Sequence, residues 1–131
     1  MIDWKRNNKI ALRNFNKKCD FHDIVKTLLV RMLRRKHKDN YKTPIYTEYS
    51  PNKPNEEYPD IWMRVYEGKG KSRKAKIIVW ELQDKITKDW KNNILKRYEE
   101  VDLIIVPLKD LEKKSEGNLF KLQKLLEDYI V

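Results

Sequence analysis

Two acids and an amide lie where a β-sheet could gather them. Asp60 opens one predicted strand, and Glu81 and Gln83 stand two residues apart near the end of another. Side chains at that spacing share one face of a strand, so a neighbouring strand can place Asp60 beside them. Converging carboxylate oxygens suit Mg²⁺ or Mn²⁺, which can activate water for phosphodiester hydrolysis. The sequence therefore predicts a hydrolytic metal site.

Glu81 is the unusual member of this set because it ends the apolar run KIIVW. Carboxylates are rarely buried without a partner. A functional role explains its position. Glu81 could instead pair with a Lys or Arg and simply end the strand.

Hydropathy periodicity predicts an α/β fold. Apolar residues at helical spacing after Asp20 form one stripe, whereas the segments around 45–49 and 61–66 alternate as strands do. In the second segment Trp62, Arg64 and Tyr66 alternate with apolar residues. A hairpin followed by a helical crossover makes a mixed central sheet with helices on both faces, a three-layer α/β/α arrangement. The predicted order is a helix from Asp20, strands at 45–49, 61–66 and 76–83, a helix capped by Thr87, a strand at 101–108 ended by Pro107, and a final helix after Gly117 and Asn118.

The length of 131 residues allows one domain, 1–131. Residues 1–18 form a basic arm or a short helix, 20–106 the core, and 107–131 a C-terminal helix. The single Cys19 cannot form an internal disulfide, and the N-terminus lacks the apolar run of a signal peptide. We therefore expect a cytoplasmic, intracellular protein with no membrane segment.

The net charge of +10 favours a nucleic-acid partner, although basic proteins of other classes share it. Two clusters of positive charge are candidates for phosphate contacts. A basic helix end also complements the helix dipole, so a solvated helix end is the favoured alternative interpretation of the first cluster. The candidate contacts are Arg34, Arg35 and Lys36 at the end of the first helix, and Lys71 and Arg73 in the 69–74 turn.

The dipeptide PD at 59–60, a hairpin and an apolar strand ending in ELQ at 81–83 resemble the P-D…(D/E)-x-K signature of the restriction-endonuclease-like superfamily. The element order predicted for 20–106 is similar to the core of that superfamily. Within it, the sequence looks most like small archaeal and viral nucleases and Holliday-junction resolvases. The resemblance implies a metal-dependent endonuclease that acts on DNA as a homodimer.

Carried onto this sequence, the resemblance makes Asp60 and Glu81 metal ligands and the Leu82 carbonyl a third oxygen ligand. Resolvase-like relatives also use an acid from the first helix. That acid maps onto Asp23, or alternatively Asp20, and an acid on the first strand is a further candidate. The alternatives for completing the site are Asp23, Asp20 and Glu48.

Gln83 stands where the signature has Lys, which is thought to orient the attacking water and stabilise the charge that develops on the phosphate. Lys91, Lys85 or Lys88 could supply the missing charge. If none does, the resemblance implies a catalytically inactive member of the fold that binds nucleic acid as an accessory or regulatory factor. A module that binds acidic protein partners is a third interpretation.

Three other patterns carry less weight. Cys19 and His22 have a metal-like spacing but lack the further ligands of a zinc site. Four tyrosines lie among basic residues and could stack on unpaired bases or pack on the sheet, namely Tyr41, Tyr46, Tyr49 and Tyr58. The sequence contains no phosphate-binding G-x-x-x-x-G-K-[ST] loop, which disfavours nucleotide hydrolysis.

Overall fold

The computed structural model describes residues 20–37, 44–47, 59–68 and 70–131. Within these ranges the chain forms four α-helices and one four-stranded sheet. No helix of the described ranges is long and apolar enough to cross a membrane. The elements are α1 (Asp20–Lys36), β1 (Ile45–Thr47), β2 (Ile61–Glu67), β3 (Lys74–Gln83), α2 (Lys88–Arg97), β4 (Asp102–Pro107), α3 (Leu108–Ser115) and α4 (Leu119–Leu126), with 3₁₀ turns at Gly70–Ser72 and Glu127–Tyr129.

The sheet has the order β1-β2-β3-β4, with β3 between β2 and β4. β2 pairs antiparallel with both β1 and β3, whereas β3 and β4 run parallel and are joined through α2. The prediction of an α/β fold with a mixed central sheet is therefore confirmed. β1 is described only as far as Thr47, so the remainder of the predicted 45–49 strand lies outside the described residues.

The β2–β3 hairpin fixes which side chains share a face. Ile61 pairs with Trp80 and Met63 with Ile78, and all four side chains are buried. The turn that joins the two strands begins at Gly68, whose φ is +89°. A Cβ there would lie 2.7 Å from the backbone oxygen of Ser72, so a larger residue could not enter without moving the turn.

One hydrophobic core lies on the Ile61–Trp80 face of the sheet. It joins apolar side chains of β2, β3 and β4 to those of α1, α3 and α4. Trp80 is fully buried there, and its indole N–H donates to the Tyr129 carbonyl at 2.8 Å. This bond satisfies the one polar atom of a side chain that is otherwise apolar. The main α1 contributions to the core are Phe21, Val25, Leu28, Leu29 and Leu33.

The helix starts agree in part with the sequence. Thr87 caps α2 as predicted, because its hydroxyl accepts from the Trp90 N–H at 3.1 Å. Helix α1 begins at Asp20, the residue from which the sequence predicts it, and Asp20 is itself the first helical residue. Its side chain lies outside the described residues.

The prediction of one C-terminal helix over 107–131 is wrong. Pro107 ends β4, and a separate helix α3 follows before α4 begins. Leu108 and Leu111 bury one side of α3, so the short helix is held by packing against the core. It ends at Glu116 and Gly117, both with positive φ, and Asn118 then caps α4 by accepting from the Lys121 N–H.

Candidate active site

Asp60 and Glu81 come together at one end of the β2–β3 hairpin. Ile61 and Trp80 are register partners in this hairpin. Asp60 directly precedes Ile61, and Glu81 directly follows Trp80. The two acids therefore occupy the next position of the ladder. Glu81 is only 9% exposed and is one of two buried polar side chains found among the described residues. The charge of Asp60 is the second largest cause of the raised pKa of Glu81, so the two carboxyl groups lie close together. A buried acid beside another acid is electrostatically costly, which sets this pair apart from ordinary surface carboxylates.

Asp60 is held by two donors on different elements. Its Oδ1 lies 3.0 Å from His22 Nε2 of α1, and its Oδ2 accepts from the Leu82 backbone N–H at 2.7 Å. Burial is the largest single effect and would raise the pKa of Asp60, but these two hydrogen bonds together with the charge of His22 hold the pKa below its ordinary value. Asp60 is therefore fixed in orientation and stays ionised.

Glu81 has the opposite electrostatic character. Burial, and then the negative charge of Asp60, raise its pKa from 4.5 to about 7. The Tyr98 hydroxyl, from the residue that ends α2, donates to Glu81 Oε1 at 2.9 Å and partly offsets that rise. Burial and the charge of Glu81 in turn raise the pKa of Tyr98, so this hydroxyl keeps its proton. The two acids thus differ in proton affinity near neutral pH, as paired catalytic carboxylates do.

A short polar chain links the site to the first turns of α1. The hydrogen bond to Asp60 raises the pKa of His22 against the opposing effect of burial. His22 Nδ1 lies 3.8 Å from Asp23 Oδ1, and Lys26 Nζ lies 3.7 Å from the same oxygen. His22 therefore stands between Asp23 and the carboxylate pair. Of the other acids predicted to complete the site, Glu48 and the Asp20 side chain lie outside the described residues.

Gln83 emerges on the Glu81 face of β3, as the two-residue spacing predicts. Its amide Nε2 donates to the Lys85 backbone carbonyl at 3.3 Å, so the amide is engaged in the turn that follows the strand. Lys91 is exposed on α2. Arg97, near the end of α2, is a cation whose charge lowers the pKa of Glu81. Arg97 is therefore a stronger candidate than Lys91 for the positive charge that the signature's Lys would provide.

The donor set fits a hard divalent cation. Two carboxylates lie together, and a positive ion near them would relieve the repulsion that raises the pKa of Glu81. Among the described residues no group of three or more His, Cys, Asp or Glu side chains is arranged to hold a metal. Mg²⁺ sites commonly use one or two carboxylates and complete the shell with water and substrate phosphate, so two suffice. The Leu82 carbonyl as a third ligand stays a prediction.

The predicted phosphate contacts lie away from the carboxylates. Arg34, Arg35 and Lys36 form the last turn of α1, about 20 Å along the helix from His22 at 1.5 Å per residue. Lys71 and Arg73 lie at the far end of the hairpin, about 25 Å from Asp60 at 3.3 Å per residue. All five are exposed. Any nucleic acid that reached these residues and the acids together would have to extend along the molecule.

Comparison of the chain with protein-family models, with curated proteins and with solved structures finds no match. The resemblance to the restriction-endonuclease-like superfamily therefore rests on the PD and ELQ residues and on the element order. The functional argument rests on the site itself.

Sequence reasoning missed the roles of His22, Tyr98 and Arg97. In the sequence His22 stands out only through its spacing from Cys19, and no motif includes Tyr98. Each reaches the acids from a different element, at a sequence separation of 38 residues for His22–Asp60 and 17 for Tyr98–Glu81. The available signal was the crossover itself, because a helix between parallel strands must pack on the sheet that carries Glu81.

Proposed function

We propose that this protein is a metal-dependent endonuclease that hydrolyses DNA phosphodiester bonds with Mg²⁺ or Mn²⁺. The observation that carries the proposal is the placement of Asp60 and Glu81 at the next position of the β2–β3 ladder, with the pKa of Glu81 raised to about 7 by burial and by Asp60. Strongly perturbed carboxylates concentrate at functional sites. The PD and ELQ residues around the two acids support the restriction-endonuclease-like superfamily as the setting.

The protein's own residues would divide the work. Asp60 and Glu81 would hold the metal, with the Leu82 carbonyl as a further oxygen ligand and Asp23 as an outer acid. The bound ion would supply Lewis-acid polarisation of the phosphate and a water of lowered pKa. His22 would keep Asp60 ionised and oriented. Tyr98 would fix one oxygen of Glu81.

Stabilisation of the developing charge is the step in which this chain departs from the signature. A neutral amide can hold a water but cannot offset negative charge, so Gln83 can at most position the nucleophile. The proposal assigns the missing positive charge to Arg97, whose charge already acts on Glu81. Activity should accordingly depend strongly on the metal and be modest in rate.

Single-turnover cleavage of plasmid, single-stranded and four-way-junction DNA tests the proposal, with Mg²⁺, Mn²⁺ or EDTA. We expect Asp60→Asn and Glu81→Gln to abolish cleavage, because each removes an anionic ligand. Gln83→Ala should leave residual activity. Gln83→Lys should preserve or raise the rate.

Glu99→Gln is the matched control, because it neutralises an exposed acid close in sequence to Arg97 and Tyr98. Its rate should equal that of the wild type. Calorimetry should detect Mn²⁺ binding that Asp60→Ala removes while the circular dichroism spectrum stays unchanged. Wild type and Gln83→Lys that are both inert on every DNA form with either metal would end the endonuclease proposal.

One observation favours a second function, a catalytically inactive nuclease fold that binds nucleic acid as an accessory or regulatory factor. The Gln83 amide donates to the Lys85 carbonyl rather than to either acid. A side chain engaged in this way contributes nothing to the reaction. The cleavage assay separates the two functions, since an inactive protein would bind DNA with a strong salt dependence and leave it intact.

A homodimer is the remaining part of the proposal and comes from the resemblance, because small nucleases pair to reach two strands. Light scattering at several protein concentrations measures the state directly. If the protein is a monomer at every concentration at which it cleaves both strands, the homodimer proposal is contradicted.

A further inference from the structure

The face of the sheet that carries Glu81 also carries a row of aromatic and basic side chains. Ile61 and Met63 of β2 point into the core, so alternation places Trp62, Arg64 and Tyr66 on the opposite face. The register confirms this placement, because Trp62 pairs with Val79, two residues before Glu81 on β3. The row therefore begins beside the acids and runs along β2 to the turn.

Two contacts extend the row sideways. Tyr46 of β1 pairs with Trp62, and their rings stack with centroids 4.2 Å apart and planes 20° from parallel. At the other end, the Arg73 guanidinium lies 4.2 Å from the centroid of the Tyr66 ring. The resulting surface combines one stacked aromatic pair with a tyrosine ring that contacts an arginine. We call it the aromatic strip, and it consists of Tyr46, Trp62, Arg64, Tyr66 and Arg73.

The aromatic strip is accessible at its outer end. Tyr66 is 40% exposed, and Arg64 and Arg73 are both exposed. Exposed tyrosine beside two arginines is a poor surface for packing against an apolar protein partner. It matches a ligand that presents flat π-systems and negative charges together.

The spacing of the side chains along β2 restricts the class of ligand that the aromatic strip can bind. Alternate residues of a strand are about 7 Å apart, so Trp62 and Tyr66 lie about 13 Å apart with Arg64 between them. Unpaired bases can stack on such rings while arginines meet the phosphates between them. In a duplex the bases are already stacked on one another and cannot reach these rings. An acidic peptide would use the arginines but would leave the row of aromatic rings unexplained.

We propose that the aromatic strip binds single-stranded DNA and leads the strand along β2 to Asp60 and Glu81. Binding of single-stranded DNA to the aromatic strip does not depend on cleavage. The second part of the proposal rests on the proposed endonuclease function, and it makes an unpaired strand the form of DNA that reaches the acids.

Fluorescence anisotropy in EDTA tests the binding claim without interference from cleavage. The probes are a labelled oligothymidylate of about 12 nucleotides, within the range of single-strand sites, and a duplex of the same length. We expect Tyr66→Ala to weaken oligothymidylate binding about tenfold, the effect of losing one stacked base. Duplex affinity should change less than about twofold, because base stacking does not contribute to it.

Two control variants show whether a change in affinity comes from the loss of the Tyr66 ring. Tyr66→Phe keeps the ring and should bind oligothymidylate as the wild type does. Phe120→Ala removes an aromatic side chain that is 81% exposed on another element and should change neither affinity. Trp62→Ala should also weaken oligothymidylate binding, but Trp62 is half-buried, so the Tyr66 variants decide the result.

Unchanged oligothymidylate affinity in Tyr66→Ala, or an equal loss for the single strand and the duplex, would overturn the proposal. The outcome is separable from that of the endonuclease proposal. If Tyr66→Ala loses oligothymidylate affinity selectively, and no protein cleaves DNA under any metal condition, the aromatic-strip proposal is supported and the endonuclease proposal is overturned. If the wild type cleaves DNA, and Tyr66→Ala changes neither cleavage nor oligothymidylate binding, the endonuclease proposal is supported and the aromatic-strip proposal is overturned.

Discussion

Glu81 should make the fold less stable as the pH rises from about 4.5 to about 7. Its pKa is about 7 in the folded protein against an ordinary value of 4.5, so between these values the folded state holds a proton that the unfolded state has lost. A raised folded pKa gives stability that is fully present below 4.5 and is lost as the pH rises to about 7. At about 1.4 kcal/mol per pH unit, the loss has a ceiling of about 3 kcal/mol.

The perturbation that isolates this effect is Glu81→Gln, which keeps the shape of the side chain and removes its titration. We expect the free energy of unfolding of the wild type, relative to that of Glu81→Gln, to fall by about 1 to 3 kcal/mol from about pH 4.5 to pH 8. The comparison cancels the titration of groups whose environment the substitution leaves unchanged. Urea unfolding followed by circular dichroism at several pH values measures the difference.

Asp60→Asn provides the matched control, because the charge of Asp60 is the second largest cause of the raised pKa of Glu81. In that background the pH-dependent difference should shrink, while the part due to burial remains. Mn²⁺ added to the wild type above pH 7 should restore stability, since a bound cation favours ionised Glu81. A difference between wild type and Glu81→Gln that is constant across the whole pH range would refute the reasoning.

Three further outcomes are expected. Affinity for duplex DNA should fall with salt at a log–log slope near −5, as about six phosphate contacts require, and Arg34→Ala should make that slope shallower by about 1; a salt-independent affinity would contradict this. Thr87→Ala should cost about 1 kcal/mol in urea unfolding, because the α2 cap to the Trp90 N–H is lost, whereas Thr87→Ser should cost much less. Trp80→Phe should destabilise the fold by about 1 to 3 kcal/mol, since it removes the bond to the Tyr129 carbonyl and leaves space in the core, and an unchanged free energy of unfolding would argue against that bond.

Much of the secondary structure could be predicted because its signals are local. The apolar stripe of α1, the alternation along β2 and the Thr87 cap are each contained in a few neighbouring residues. The strand predicted at 76–83 is present as part of β3, which lies between β2 and β4. Helix α3 was missed although Leu108 and Leu111 stand at helical spacing, because Pro107 was taken to end a strand and not also to begin a helix.

For the candidate active site too, the contacts that could be predicted are those between residues close along the chain. Asp60 and Glu81 could be brought together from the sequence because a hairpin pairs residues that are close along the chain. His22 and Tyr98 could not, because each meets its acid only after a helix has packed on the sheet. The engagement of Gln83 with the Lys85 carbonyl also depends on the course of a turn that residue types alone do not specify.

The pairing of Ile61 with Trp80 and of Met63 with Ile78 has a consequence for how this chain can change in evolution. A slip of one residue would turn all four buried side chains out of the core, so register is locked by the apolar face and not by the acids. An insertion within 68–73 would be absorbed as a longer turn, far from Asp60. A one-residue deletion inside β3 would reverse the face of Glu81. Length variation should therefore be common in the turn and be excluded from the two strands.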